Sequence, residues 1–278
     1  MRILTTRNHW VRILLTAFVL LTLTGVTLAQ STQSQTRFAS NVAPQSTYTI
    51  CSDVAILPGY AVVEITSNAG CKYAIQYTIQ PAANNLEICS GTPVPEPFVV
   101  VKIQSVPNNQ CNGQQSISTI YTVQNGSNVC SGTPIPSGWS YTKISSSNGQ
   151  CGTLTWYEVH PSAAGLQICS TSPFDAPYVV TSINSSISCN GLRSYTLANV
   201  YDGIQACSVG AVPAGYVIPR ADHLSVCGDY YAHTLKEAYD GVVVCPFSPI
   251  PDHYYKDISV PVTNCEGYSS GYRLVYIP

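Results

Sequence analysis

Residues 129–151 read VCSGTPIPSGWSYTKISSSNGQC. Val129 and Cys130 end a short apolar run. Ser131–Gly138 holds two prolines and two glycines, which turn the chain and withhold ladder hydrogen bonds at the prolines. Trp139 then opens a β-prone run that leads to Cys151. The arrangement recurs along the chain. First cysteines stand at Cys51, Cys89, Cys130, Cys169, Cys207 and Cys245, and second cysteines at Cys71, Cys111, Cys151, Cys189, Cys227 and Cys265. Successive first cysteines lie 38 to 41 residues apart, so the 12 cysteines mark six copies of one small unit. Cysteine used this densely and evenly belongs to an oxidising compartment.

Comparison of the six copies with one another shows what each position demands. Nine residues after the first cysteine stands an aromatic: Tyr60, Phe98, Trp139, Tyr178, Tyr216 or Tyr254. Five residues after it stands an apolar residue: Ile56, Val94, Ile135, Phe174, Val212 or Ile250. The residue before it is apolar in every copy, from Ile50 to Val244. A second β-prone run follows the second cysteine, as at Tyr77–Ile79 and Tyr195–Leu197, and Asn125-Gly126, Asp202-Gly203 and Asp240-Gly241 carry hairpin-turn chemistry. Each unit therefore holds about three strands: a and b as a hairpin, then c. The predicted fold is all-β, six tandem disulfide-stapled antiparallel repeats of ~39 residues. Units are expected to start near residues 48, 77, 119, 157, 195 and 233, within a β domain spanning 48–278. Residues 232–238 have some helical character but align with strand a of the other units.

A unit this small does not bury enough surface to fold alone, and a disulfide closing a loop of ~20 residues adds about 3 kcal/mol on the chain-entropy argument. Two pairings fit the spacing. If strands a and b form a hairpin, its open ends bring together Cys71–Cys89, Cys111–Cys130, Cys151–Cys169, Cys189–Cys207 and Cys227–Cys245, leaving Cys51 and Cys265 to meet each other. The alternative joins Cys51–Cys71 and its equivalents within each unit. There strand c intervenes, and six extended residues span about 20 Å. The geometry favours the first pairing. The two end half-hairpins would then close a propeller-like ring, link molecules head to tail, or stay apart in an elongated array.

Residues 1–29 read as a signal peptide. Arg2, Arg7 and Arg12 precede an apolar stretch, and Thr27-Leu28-Ala29 offers small residues for cleavage. Residues 30–47 are a polar, flexible lead-in. No later stretch is apolar enough to span a membrane as a helix. Without the leader, 9 basic residues face 14 acidic ones, a balance that excludes the clustered cations of a nucleic-acid binder. Only 9% of residues are charged, so Ser, Thr, Asn, Gln and Tyr form most of the surface.

Candidate chemistry is sparse. Asp222-His223 and Asp252-His253 are adjacent pairs of metal-ligand types, without the spacing of a known metal motif. Asp175 and Glu158 are isolated carboxylates, and every cysteine is claimed by the grid. No cofactor is implied. Nineteen tyrosines stand out. Those that vary between units, Tyr230, Tyr231, Tyr255, Tyr268 and Tyr276, are the better ligand contacts, because variation on a fixed scaffold marks contact positions. Asn125 and Asn184 lie in glycosylation sequons. The expected function is that of a secreted, non-enzymatic component of an extracellular coat, matrix or adhesive surface. Its partners would be an extracellular glycan or protein surface, or other copies of itself. A carbohydrate-binding, lectin-like module is the alternative, and a secreted hydrolase or protease inhibitor the third reading.

Overall fold

The computed structural model describes residues 46–105, 110–114, 116–146 and 149–278. The expected signal peptide and nearly all of the polar lead-in lie outside these residues. Among the described residues eighteen strands follow one another in six triplets, with a single 3-10 turn at Ser225–Cys227. The first triplet is β1 (Tyr48–Cys51), β2 (Tyr60–Ser67) and β3 (Ile75–Pro81). The second is β4 (Leu86–Cys89), β5 (Phe98–Ser105) and β6 (Ser116–Thr122). The third is β7 (Ser127–Cys130), β8 (Trp139–Ser145) and β9 (Trp156–Pro161). The fourth is β10 (Gln167–Cys169), β11 (Tyr178–Ser185) and β12 (Arg193–Asn199). The fifth is β13 (Gln205–Cys207), β14 (Tyr216–His223) and β15 (Tyr231–Glu237). The sixth is β16 (Val243–Val244), β17 (Tyr254–Cys265) and β18 (Tyr268–Tyr276). The all-β expectation holds, and the segment of helical character is strand β15.

Within a triplet the last strand sits in the middle. The first four units form separate sheets of order β1-β3-β2, β4-β6-β5, β7-β9-β8 and β10-β12-β11, every pair antiparallel. The fifth and sixth units share one six-stranded sheet, joined where Ala221 of β14 lies parallel to Cys265 of β17.

This topology overturns the expected pairing of cysteines. The disulfides are Cys51–Cys71, Cys89–Cys111, Cys130–Cys151, Cys169–Cys189, Cys207–Cys227 and Cys245–Cys265, with Cα separations of 5.3–5.6 Å. None of the expected pairs Cys71–Cys89, Cys111–Cys130, Cys151–Cys169, Cys189–Cys207, Cys227–Cys245 or Cys51–Cys265 forms. The physical reason lies in the Pro/Gly loop. β1 and β2 both run antiparallel to β3, so they are parallel to each other. The loop after Cys51 carries the chain back along the length of the unit. β2 then returns to the end where it started, cancelling the separation that an extended strand would impose. β3 and β4 belong to different sheets, so the Asn-Gly and Asp-Gly turns join units and close no hairpin. The natural unit begins at the strand that carries the first cysteine. No strand of the first triplet pairs with one of the sixth, and the expected half-hairpin closure is absent among the described residues.

The turn before each long strand is conformationally demanding. Gly59, Gly138 and Gly215 adopt left-handed φ of 78–84° there, His253 does so at 66°, and the other two units use cis Pro97 and Pro177.

The core is distributed among units. Val62, Ile65 and Ile79 of the first unit pack on Cys89 and Cys111 of the second. Ile88, Val100 and Ile120 pack on Cys130 and Cys151. Val129, Tyr141 and Val159 pack on Cys169 and Cys189. Ile168, Val180 and Leu197 pack on Cys207 and Cys227, and Ile218 and Leu235 on Cys245 and Cys265. The core of each of the first five units is thus finished by the disulfide of the next. The recurring aromatic packs beside its own unit's cluster and remains half-buried in all six copies. Hydrogen bonds accompany the contact. The Ile65, Ile103 and Ile144 N–H groups donate to the carbonyls of Gln110, Gln150 and Ser188 at 2.7–2.9 Å. The Tyr141 and Ile218 N–H groups donate to Ser172 Oγ and Ser248 Oγ of the following unit.

Candidate ligand surface

The fifth and sixth units carry a run of exposed rings. His223 and Tyr231 face each other across β14 and β15, with ring centroids 4.8 Å apart. Two residues further along β15, on the same face of the strand, His233 lies 5.4 Å from Phe247 of the sixth unit. Phe247 lies 5.5 Å from Tyr268. Tyr231, Phe247 and Tyr268 are 40%, 39% and 52% exposed, so their rings are available to solvent. Beside them, Arg193 of the fourth unit donates to Asp229 at 2.6 Å and lies over the Tyr230 ring at 5.8 Å. That hydrogen bond and the guanidinium charge hold the Asp229 carboxyl below the usual range. Burial lowers the His233 imidazole below its ordinary value, so it faces Phe247 as a neutral ring near pH 7. The strip therefore offers π-faces with one ion pair at its edge.

Sequence reasoning named Tyr230, Tyr231 and Tyr268, and the structure brings Tyr231 and Tyr268 into one strip with Tyr230 adjoining through Arg193. Phe247 was missed. It stands two residues after the first cysteine, where the other units carry Asp53, Gly91, Gly132, Thr171 and Val209, so the internal comparison contained its signal. Tyr276 packs edge-on against Tyr254 at 5.4 Å, and Tyr255 is exposed apart from these ring contacts.

The other candidates are dispersed. Asp222 accepts from Arg220 Nε at 2.5 Å, and His223 is engaged with Tyr231. His253 is a left-handed turn residue whose ring lies 6.2 Å from Tyr276, with Asp252 exposed before it. Among the described residues no three His, Cys, Asp or Glu side chains gather as metal ligands. Asp175 accepts from Ser137 Oγ and the Gly138 N–H, both at 3.1 Å, and Glu158 contacts His160 Nε2 at 3.1 Å. Asp175 is tied to the junction with the preceding unit and Glu158 to its neighbour within β9. Asn125 and Asn184 are exposed.

Apart from this strip, a concavity of about 710 Å³ opens between the second and third units. Hydroxyls of Ser90, Thr92, Ser118 and Thr133 line it together with Ile103 and Leu154. Glycines at 91 and 132 keep it open at positions that Val209 and Phe247 occupy in the fifth and sixth units. Ser90 and Ser118 already bond each other at 2.8 Å, and Thr92 Oγ1 donates to the Cys89 carbonyl.

Comparison with protein-family models, with curated proteins and with solved structures found no match. Six disulfides suggest an oxidising, extracellular setting, and no helix among the described residues is long and apolar enough to cross a membrane.

Proposed function

We propose that this chain is a secreted, non-enzymatic repeat protein of an extracellular coat, matrix or adhesive surface, with its six units following one another as an elongated array. The observation that carries this reading is the shared core. Five of the six disulfides are buried against the preceding unit, which gives a quasi-one-dimensional body whose stability comes from nearest neighbours and covalent staples. Such a body suits mechanical and proteolytic exposure outside the cell, and its surface of hydroxyls and amides carries few charges for salt to screen. Two measurements test it. Cell fractionation should recover the protein from the medium or the surface fraction; retention in the cytosol overturns the proposal. Small-angle scattering of the oxidised chain should give the distance distribution of an elongated body; a compact distribution with a central hollow would support a ring.

A second reading, carbohydrate binding, is favoured by the strip of Tyr231, Phe247 and Tyr268. Exposed rings in a row present flat apolar faces to the C–H faces of sugars. A glycan array probed with the oxidised chain should show binding that falls at least tenfold in Tyr231→Ala and Phe247→Ala variants. Absence of any binding glycan removes this reading and leaves the structural one standing.

A further inference from the structure

The disulfide face of the first unit is the same surface that every later unit uses to dock on its predecessor, and here no described residue of another unit covers it. Three positions show this. Three residues after the first cysteine, Ser172 and Ser248 accept backbone N–H groups from the preceding unit; the first unit has Val54, 53% exposed. Six residues after it, Asp175 reaches Ser137 and Gly138 of the preceding unit; the first unit has Leu57, 48% exposed. Two residues after the second cysteine, Asp229 reaches Arg193 of the preceding unit; the first unit has Tyr73, 61% exposed. Later units carry Thr, Ser or Gly at the first of these positions, Pro or Asp at the second, and Gly, Thr or Asp at the third. A terminal unit that only met water would be expected to be more polar there, as capping repeats are. This one is more apolar at all three.

The opposite end does not offer the matching surface. Ten residues after the first cysteine, Ala61, Val99, Ser140, Val179 and Val217 are 0–4% exposed. Each lies in the long strand that meets the next unit. The sixth unit has Tyr255 there, and four residues on it has exposed Ser259 where Ile65, Ile103, Ile144 and Ala221 stand in other units. The end that would accept a disulfide face has become bulky and polar.

The bare face also matches itself. Asp53 and Lys72 flank the Cys51–Cys71 bridge, both exposed, and neither joins an ion pair among the described residues. Lys72 Nζ lies 5.2 Å from the centre of its neighbour Tyr73, and a twofold axis through this face allows Asp53 of each copy to meet Lys72 of the other beside Val54, Leu57 and Tyr73. We propose that the first unit's disulfide face binds a second copy of this chain, head to head, so that the protein forms a closed twofold dimer and not a head-to-tail filament. A self-complementary patch closes after two copies, whereas unlike ends propagate.

Sedimentation velocity of the oxidised full chain over a range of concentrations tests this. The expected result is a reversible monomer–dimer equilibrium with no larger species. Val54→Thr with Tyr73→Gly installs residues that later units hold at these positions. It should weaken the dimer at least about tenfold while the thermal midpoint of the monomer is unchanged. Asp53→Lys and Lys72→Asp should each weaken self-association by about tenfold or more, and an equimolar mixture of the two variants should restore it. Restoration is specific to the twofold arrangement, because only there do the two positions face each other. A wild-type chain that stays monomeric at every concentration overturns the proposal and leaves the face to the chain before residue 46 or to another protein. Open-ended polymers, or a dimer indifferent to all four substitutions, also overturn it.

Discussion

The Cys89–Cys111 bridge and the Cys51–Cys71 bridge occupy the same place in their units and have almost the same Cα separation, 5.6 and 5.3 Å, yet they sit in different surroundings. Cys89 and Cys111 are both 0% exposed, enclosed by Val62, Ile65 and Ile79. Cys51 is half-buried and Cys71 is 6% exposed, and neither packs into the core of another unit among the described residues. A staple in this fold is therefore two things: a covalent clamp on its own unit and a piece of the core of its neighbour. Only the first bridge performs the clamping role alone.

The comparison can be broken most directly by removing each bridge as a pair of serines. Loss of Cys89–Cys111 should cost the chain-entropy contribution of about 3 kcal/mol and also damage the packing of the first unit, for a total of about 4–6 kcal/mol. Loss of Cys51–Cys71 should cost about 2–3 kcal/mol. Denaturant melts of the two variants check the ranking, and equal costs would show that the buried bridge adds no packing.

A smaller effect sharpens the contrast at the other end. A Cβ on Gly271 would come within 2.3 Å of the Val244 carbonyl oxygen, a backbone atom that has no rotamer to escape into. Gly271→Ala should destabilise the sixth unit by about 2–3 kcal/mol. Gly210 also lacks room, but there the obstacle is the tip of the Phe174 ring at 2.8 Å, which can swing. Gly210→Ala should cost about half as much or less, and proteolysis kinetics at each site would separate the two.

The smallest effect concerns pH. His233 stands where Tyr77, Tyr157, Tyr195 and Tyr272 stand in other units, and burial holds its folded pKa below the unfolded value. Above the unfolded pKa of about 6.5, both states are neutral and the stability of this site is fully present. As pH falls below that value the unfolded chain binds a proton first, so stability declines until the folded pKa is passed. Thermal midpoints should drop between pH 7 and 5, and His233→Tyr should reduce that drop.

Much of the fold was legible because six copies constrain one another. The strands, the recurring aromatic that opens each long strand and the β character of residues 231–237 could be read from positions that recur among the units; that the aromatic stays half-buried and does not fill the core could not. The disulfide pairing was misread for one physical reason. Asn125-Gly126 and its equivalents have hairpin chemistry, and nothing local distinguishes a turn closing a hairpin from one joining two sheets. The loop after Cys51 held the corrective signal, since eight residues with Gly59 and Pro58 are enough to carry the chain back along a four-residue strand. The candidate surface was half legible. Tyr231 and Tyr268 stood out by varying on a fixed frame, but the contacts Arg193 to Asp229 and His233 to Phe247 cross unit boundaries. Sequence separations of 36 and 14 residues do not announce them.

Because each core is finished by the bridge of the unit after it, completion lags synthesis by one repeat. As the chain emerges from its N-terminus, the first unit holds its strands but waits about 40 more residues for Cys89 and Cys111 to arrive and oxidise. The same delay passes down the chain five times. The sixth unit closes by a different means. It does so with the longest hairpin of the molecule, Tyr254–Cys265 against Tyr268–Tyr276, drawn into one sheet with the fifth unit. The cores of this protein are thus completed from neighbour to neighbour, and the sixth unit's by its own hairpin and its shared sheet.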